Sequence, residues 1–154
     1  LMNYPKIILQ KGKEVSLLRK HHWVFSGAVA KKEESIQNGD LVAVHSSKND
    51  FLGIGHYALG SIMVRIISFE ERAIDASFWT EKIRAAHAVR EALHLTQQKE
   101  TTVYRLVHGE GDGLPGLIID YYNGTAVIQA HHIGMHQHLQ AITEALRAVY
   151  GKQL

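Results

Sequence analysis

The glycine-rich segment 109–116, GEGDGLPG, has a spacing that binds phosphate in dinucleotide-dependent enzymes. Its glycines satisfy the pattern Gly-x-Gly-x-x-Gly, which holds a pyrophosphate only where a strand enters the turn and a helix leaves it. The sequence of residues 103–107, VYRLV, predicts the entering strand. Residues 117–122, however, are LIIDYY followed by Asn-Gly, which predicts a second strand and a hairpin turn. The sequence therefore disfavours a phosphate site and favours a strand–turn–strand corner.

Two acids inside this corner, Glu110 and Asp112, also oppose a bound phosphate. Short acids in tight turns commonly accept hydrogen bonds from backbone N–H groups, and we expect that role here. With His108 they could form an acid–base set, but the sequence predicts no substrate pocket around them. The corner is therefore expected to be architectural.

A second segment, residues 19–27 (RKHHWVFSG), interleaves cations, imidazoles and aromatic rings. Arg19 and Lys20 are suited to phosphate contacts. Trp23 and His21 can stack on unpaired bases, and the glycine that ends the segment lets a backbone approach closely. This combination favours a nucleic-acid ligand.

Charge is distributed unevenly along the chain. Residues 1–32 contain seven Lys or Arg and one Glu, a net charge of +6, whereas the remainder contains ten basic and fourteen acidic residues. A basic head on a mildly acidic body is typical of proteins with a polyanionic partner. The alternative is a solvated lysine-rich surface. Arg65, the one charge inside its predicted strand, is expected either to face RNA or to pair with a carboxylate.

The elements that would position these residues change type near residues 70–75. Before that point, five or six short strands predict a small barrel, with Phe25 in its core. After it, Asp75 is a suitable N-cap for a helix whose apolar face runs from Trp79 to Leu93, and three strands follow. A last helix is predicted from the 4-3-4-3 spacing of its apolar residues, which are Met135, Leu139, Ile142, Leu146 and Val149.

Composition excludes several classes of protein. The 154 residues contain no cysteine, which rules out disulfides, thiolate metal sites and a cysteine nucleophile within the chain. No apolar run approaches the roughly 18 residues of a membrane span. A hydrophobic fraction of 45% is that of a globular protein able to bury a core.

Three stretches resemble the PUA domain, an RNA-binding pseudobarrel of RNA-modifying enzymes: residues 17–29, 38–44 and 52–55. The first is similar to the signature Arg-x-His-Pro-Trp-Val-Phe-x-Gly-Ala of class I, S-adenosylmethionine-dependent 23S rRNA cytosine-5 methyltransferases, with His22 where proline is usual. The same family carries Gly-Glu-x-Asp-Gly-Leu-Pro-Gly-Leu-x-x-Asp after its PUA domain, and residues 109–120 match every fixed position.

The resemblance implies a mixed fold. Residues 1–72 would form a β-rich PUA pseudobarrel and residues 73–154 a small α+β domain, helix–three strands–helix, that is central in the family. A catalytic methyltransferase domain, with its S-adenosylmethionine site and catalytic cysteine, is not among these residues. We therefore expect no cofactor in this chain, S-adenosylmethionine in that C-terminal domain, and no methyl transfer by the chain alone.

The resemblance also implies partners and sites. The expected partners are 23S rRNA and the methyltransferase domain, with a homodimer left open, and the expected location is the cytoplasm without membrane attachment. The residues expected to contact RNA are Lys11, Lys13, Arg19, Lys20, His21, Trp23, Ser26, Gly27 and Arg65. Those expected to shape the corner and present a face to the methyltransferase domain are Gly109, Glu110, Asp112, Gly113, Leu114, Pro115, Gly116 and Asp120.

Two other classes of function remain open on sequence grounds. The second domain could be a protein-interaction or dimerisation module, with the basic head incidental. A histidine cluster at residues 131, 132, 136 and 138 has enough imidazoles for a transition metal. Because Gly134 is expected to separate a strand from the last helix, and because the cluster contains no carboxylate, we expect exposed histidines at a helix start and no metal.

Overall fold

The computed structural model describes residues 3–154. The chain divides into two compact units, one formed by the residues up to Ala73 together with His132–Met135, the other by Ile74–His131 and His136–Leu154. None of the helices within residues 3–154 combines the length and apolarity needed to cross a membrane.

The first unit is a curled six-stranded sheet with one short helix, α1 (Val15–Leu18). The strand order is β2-β6-β5-β4-β1-β3, and neighbours are antiparallel except for the parallel pair β1 and β4. The strands are β1 (Lys6–Leu9), β2 (Trp23–Phe25), β3 (Val29–Lys32), β4 (Leu41–His45), β5 (Phe51–Tyr57) and β6 (Ile62–Ser68).

The sheet curls into a half-barrel because its ladders are interrupted. Each of the four antiparallel pairs contains a register shift, and such irregularities bend a strand and increase its twist. A 3₁₀ turn, Ser26–Ala28, joins the two edge strands directly. At Gly55 a Cβ would lie 2.3 Å from the carbonyl oxygen of Arg65, so only glycine permits this approach of β5 to β6.

One face of the sheet, together with Leu17 of α1, forms a hydrophobic core. The residues that fill it are apolar and nearly fully buried: Ile7, Leu9, Leu17, Val24, Val42, Val44, Leu52, Val64 and Ile66. The five or six short strands predicted for this half are confirmed as six, and the turn before β4 passes through Gly39, whose φ is +96°.

The second unit is an antiparallel sheet in the order β7-β8-β9 with two long helices. Its elements are α2 (Ala76–Ala92), β7 (Val103–His108), β8 (Leu117–Tyr122), β9 (Thr125–Ala130) and α4 (Leu139–Tyr150). Asp75 caps α2 as predicted, because its side chain accepts a hydrogen bond of 3.0 Å from the backbone N–H of Phe78. The mixed fold predicted from the sequence is therefore confirmed.

Two details of the helices differ from prediction. The last helix is split, because α3 (Ile133–His136) ends before α4 begins. Met135 groups with the first unit whereas Ile142 lies in the second, so the apolar spacing that linked them crosses from one unit to the other. In α2 the predicted apolar face is buried only as far as Ala86, and Leu93 is 61% exposed.

Candidate nucleic-acid interface

The cations of residues 19–21 extend from a compact turn. Helix α1 is a single turn anchored by the buried Leu17. Lys20 follows it with a φ of +65°, and its N–H donates to the carbonyl of Leu17 at 2.9 Å. Arg19, Lys20 and His21 are all exposed. The Nζ of Lys20 lies 4.8 Å from the ring centroid of Phe69, a cation–π distance.

Strand β2 follows these cations in the sequence and presents two aromatic rings. Val24 is 1% exposed and faces the core, so Trp23 and Phe25 point outward, with exposed fractions of 41% and 52%. Their ring centroids are 6.2 Å apart in an edge-to-face arrangement. The prediction that Phe25 belongs to the core is wrong, because Val24 takes the inward position of this three-residue strand.

A cavity of about 360 Å³ lies beside the rings. Both rings line it, together with Lys13, Ser16 and Gly27 among others. A Cβ at Gly27 would meet nothing within 4 Å, so the backbone there is approachable from outside. We call the set Lys13, Arg19, Lys20, His21, Trp23 and Phe25 the aromatic–basic face.

Other predicted contacts lie at the edges of this face. Lys11 is exposed in the turn that precedes Lys13. Ser26 is exposed, and its backbone N–H donates to the carbonyl of Ser61 at 2.8 Å. Arg65 is paired with Trp23 in the β2–β6 ladder. Its guanidinium donates to the carbonyl of Ile62 at 3.4 Å, and no carboxylate between residues 3 and 154 is its recorded partner.

The glycine corner of the second unit has the predicted strand–turn–strand form. A 3₁₀ turn, Gly109–Asp112, follows β7, and β8 rather than a helix comes next. Gly113 and Gly116 have φ values of +69° and +82°, a left-handed conformation that glycine adopts without steric cost. Leu114 and Pro115 are buried beneath the turn, and Glu110 is exposed.

Asp112 holds the corner together. It accepts a 2.7 Å hydrogen bond from the backbone N–H of His108, which is the role predicted for a short acid in this turn. It also forms a two-pronged ion pair with Arg90 of α2, at 2.5 and 2.9 Å, in which both side chains are nearly buried. Arg90 in addition donates to the carbonyl of Arg105 at 2.9 Å.

Arg90 was not among the residues singled out from the sequence. The helical spacing could have indicated its role, since Arg90 follows the buried Ile83 by seven residues and therefore lies on the same helical face. Asp120 pairs instead with Arg105 on the exposed side of the sheet, at 2.8 and 3.2 Å. The hydrogen bond from Arg105 to Asp120 raises the pKa of the guanidinium.

The histidines of the predicted cluster have separate environments. His132 accepts from the N–H of Met135 at 3.3 Å, and its ring lies 5.3 Å from that of His56. His138 packs on Trp79 with centroids 4.9 Å apart, and burial lowers its pKa. Over residues 3–154 no three His, Asp or Glu side chains are grouped as metal ligands would be.

Comparison with known proteins gives this geometry a context. Residues 7–69 match the family of PUA-like domains. These residues form a PUA-like domain. Two ribosomal RNA large subunit methyltransferases I are similar to the chain, those of Salmonella arizonae at 35% identity over 150 residues and of Salmonella paratyphi C at 36% over 149. Each alignment covers 96% of the chain, but only 37% and 36% of the relative, so the chain spans just over a third of their length.

Solved structures share the fold across both units. A candidate SAM-dependent methyltransferase of Streptococcus mutans matches with a TM-score of 0.82 and 22% identity, covering 97% of this chain and 39% of that one. A candidate methyltransferase solved with SAH, SMU.776, matches with a TM-score of 0.81, 21% identity and coverages of 97% and 38%. The PUA-like domain and the second unit therefore occur together in these structures.

Proposed function

We propose that the chain is the RNA-binding part of a SAM-dependent 23S rRNA methyltransferase, and that the aromatic–basic face is its RNA contact. The observation that supports this most is the exposure of Trp23 and Phe25 beside a cavity and a group of cations. Two large rings at the surface of a small domain cost hydrophobic free energy unless a ligand covers them. Cations for phosphates beside rings for bases are the combination that binds single-stranded nucleic acid.

The side-chain chemistry suggests a role for each residue of this face and for the residues at its edges. Lys11, Lys13, Arg19 and Lys20 would neutralise phosphates, which supplies affinity without reading sequence. Trp23, with Phe25 or His21, would stack on a base that is already unpaired, as in a loop or bulge of rRNA. The open backbone at Ser26 and Gly27 would let the strand approach, and Arg65 would support the platform from the neighbouring strand.

The second unit is proposed to orient the RNA-binding domain, residues 1–72, relative to the methyltransferase domain. Residues 73–154 would act as this spacer, and the ion pair between Arg90 and Asp112 makes the glycine corner suited to a rigid role. By analogy with the relatives, methyl transfer to cytosine-5 and the binding of S-adenosylmethionine would belong to another part of the protein, acting in the cytoplasm.

A protein-interaction role for the second unit is the alternative, and one observation favours it. On the outer face of the β7–β8–β9 sheet, Val103 and Tyr122 are cross-strand neighbours and Val127 lies in the next row, all more than 40% exposed. A homodimer or contact with the methyltransferase domain would cover them. Sedimentation of the chain over a range of concentrations distinguishes a self-associating chain from a monomer.

The RNA-binding proposal is tested by amide chemical shifts of the ¹⁵N-labelled chain during titration with hairpins from 23S rRNA. The largest changes are expected at residues 11–27, with residues 109–120 nearly unaffected. Uniform small changes, or changes confined to the second unit, would contradict the proposed interface.

A further inference from the structure

A second cavity in the first unit, of about 440 Å³, lies on the face of the six-stranded sheet opposite to Val42 and Val44. Along β4, Val42 and Val44 face the core, so Ala43 and His45 point the other way and line this cavity. It shares no lining residue with the cavity beside Trp23. Its volume lies within the range of about 300–1,000 Å³ that is usual for small-ligand sites.

Part of the cavity lining is aromatic. Phe51 pairs with His45 across β4 and β5, and their rings meet edge to face with centroids 5.8 Å apart. The Nδ1 of His45 lies 3.1 Å from the carbonyl oxygen of Asn49. Because a carbonyl only accepts, Nδ1 is the donor of this hydrogen bond, which holds the ring in place. A planar heterocycle can pack against these two rings.

The lining also contains two cations. These are Lys6 and Arg72, and Glu71 lies beside them in the lining. The main chain of Lys6 is held in place, since its N–H donates to the carboxylate of Glu33 and its carbonyl accepts from the N–H of Glu33. Lysine and arginine beside an aromatic surface suit a ligand that joins a phosphate to a ring.

The two cavities lie near opposite ends of β6. Phe25 pairs with Ile62, the first residue of that strand, whereas Ser68, its last residue, is followed closely by Glu71 and Arg72. A strand of this length extends about 20 Å. One nucleic-acid strand advances about 3.4 Å per nucleotide in a duplex, so about six nucleotides would span that distance.

We propose that this cavity binds one nucleotide, with the base against Phe51 and His45 and the phosphate at Lys6 and Arg72. The inference rests on the proposed RNA-binding function for the source of the nucleotide, which would be the strand held at the aromatic–basic face. Joining two sites on one strand raises the effective concentration at the second, so a weak nucleotide site suffices to increase the affinity for a longer RNA.

The test is a titration of the ¹⁵N-labelled chain with cytidine monophosphate, and separately with cytidine and with inorganic phosphate. Saturable shifts around His45 and Phe51 are expected with the nucleotide, at lower concentrations than with either part alone. Lys6→Gln is expected to weaken nucleotide binding about tenfold, through loss of a charge-assisted phosphate contact. Lys48→Gln is the matched control, because Lys48 is exposed near the cavity but does not line it.

Nucleotide binding to the Lys6→Gln variant at wild-type strength, or no saturable shift at the cavity, would overturn the proposal. Equal affinity for phosphate alone would reduce the cavity to an anion site and overturn it as well. The variant Arg19→Ala/Lys20→Ala separates the two proposals. It is expected to bind rRNA hairpins weakly and cytidine monophosphate normally, whereas normal binding of both would refute the RNA interface and leave the nucleotide cavity standing.

Discussion

The aromatic–basic face and the glycine corner both contain charged side chains and use them in opposite ways. At the corner, Asp112 binds Arg90 and Asp120 binds Arg105, so its charges are satisfied within the protein. On the aromatic–basic face, Arg19 and Lys13 are exposed and form no ion pair recorded within residues 3–154, and two rings stand at the surface. Charges already paired stabilise a fold, whereas charges and rings left toward solvent can bind a ligand.

The comparison predicts that substitutions in the two regions affect different measurements. Changes at the corner are expected to lower the free energy of unfolding and to leave the intrinsic affinity for RNA intact. Changes on the aromatic–basic face are expected to lower RNA affinity and to leave stability nearly unchanged.

The largest effect is expected from Arg90→Ala. This substitution leaves Asp112 as a nearly buried carboxylate without its main partner, which costs about 3 kcal/mol or more of the free energy of unfolding. Arg105→Ala is the matched control, because it breaks the exposed ion pair with Asp120 and should cost less than about 1 kcal/mol. Urea denaturation measures both. Equal losses for the two variants would show that burial does not distinguish these ion pairs.

A smaller effect, on binding alone, is expected from Trp23→Ala. Stacking of one base on an aromatic side chain contributes about 1–3 kcal/mol, so affinity for an rRNA hairpin should fall roughly tenfold. Trp79→Ala does not serve as a control, because Trp79 is a core residue. Tyr122→Ala does, since it removes an exposed ring from the second unit. If both variants bind the hairpin as the wild type does, the stacking role is wrong.

The smallest effect concerns pH. Burial against Trp79 lowers the pKa of His138 below its usual 6.5, so the unfolded chain takes up a proton there more readily than the folded chain. The free energy of unfolding that this residue contributes is therefore present above about pH 6.5 and is lost as the pH falls below that value toward the lower pKa of the folded state. The Tm of His138→Gln should decline less between pH 7.5 and 5.5 than that of the wild type. Parallel declines would contradict the assignment.

The sequence predicted regular features better than side-chain environments. The strands β7 and β8 follow the predicted ranges, because β-branched runs bounded by turn residues are local signals. The split between α3 and α4 was missed, since residues at helical spacing can belong to different units. Phe25 was assigned to the core on its residue type alone, although the alternation with Val24 placed it outside.

The candidate site was predictable in its residues but not in its shape. The segment 19–27 indicated both the exposed cations and the exposed ring of Trp23. Both cavities depend on strands far apart in sequence, and the ladder that brings Phe51 opposite His45 has an irregular register. Register shifts of this kind are not encoded in a short stretch of sequence, so the cavity lined by Phe51 and His45 could not have been predicted.

The central claim is that the aromatic–basic face binds RNA through phosphates and one stacked base. The most direct measurement is the dependence of hairpin affinity on salt concentration, for the wild type, Arg19→Ala/Lys20→Ala and the control Arg84→Ala/Lys99→Ala. Each lost phosphate contact should flatten the slope of log K against log salt by about 0.7–0.9, so the first variant should show a slope shallower by about 1.5 and the control none. Identical slopes for all three proteins would contradict the account.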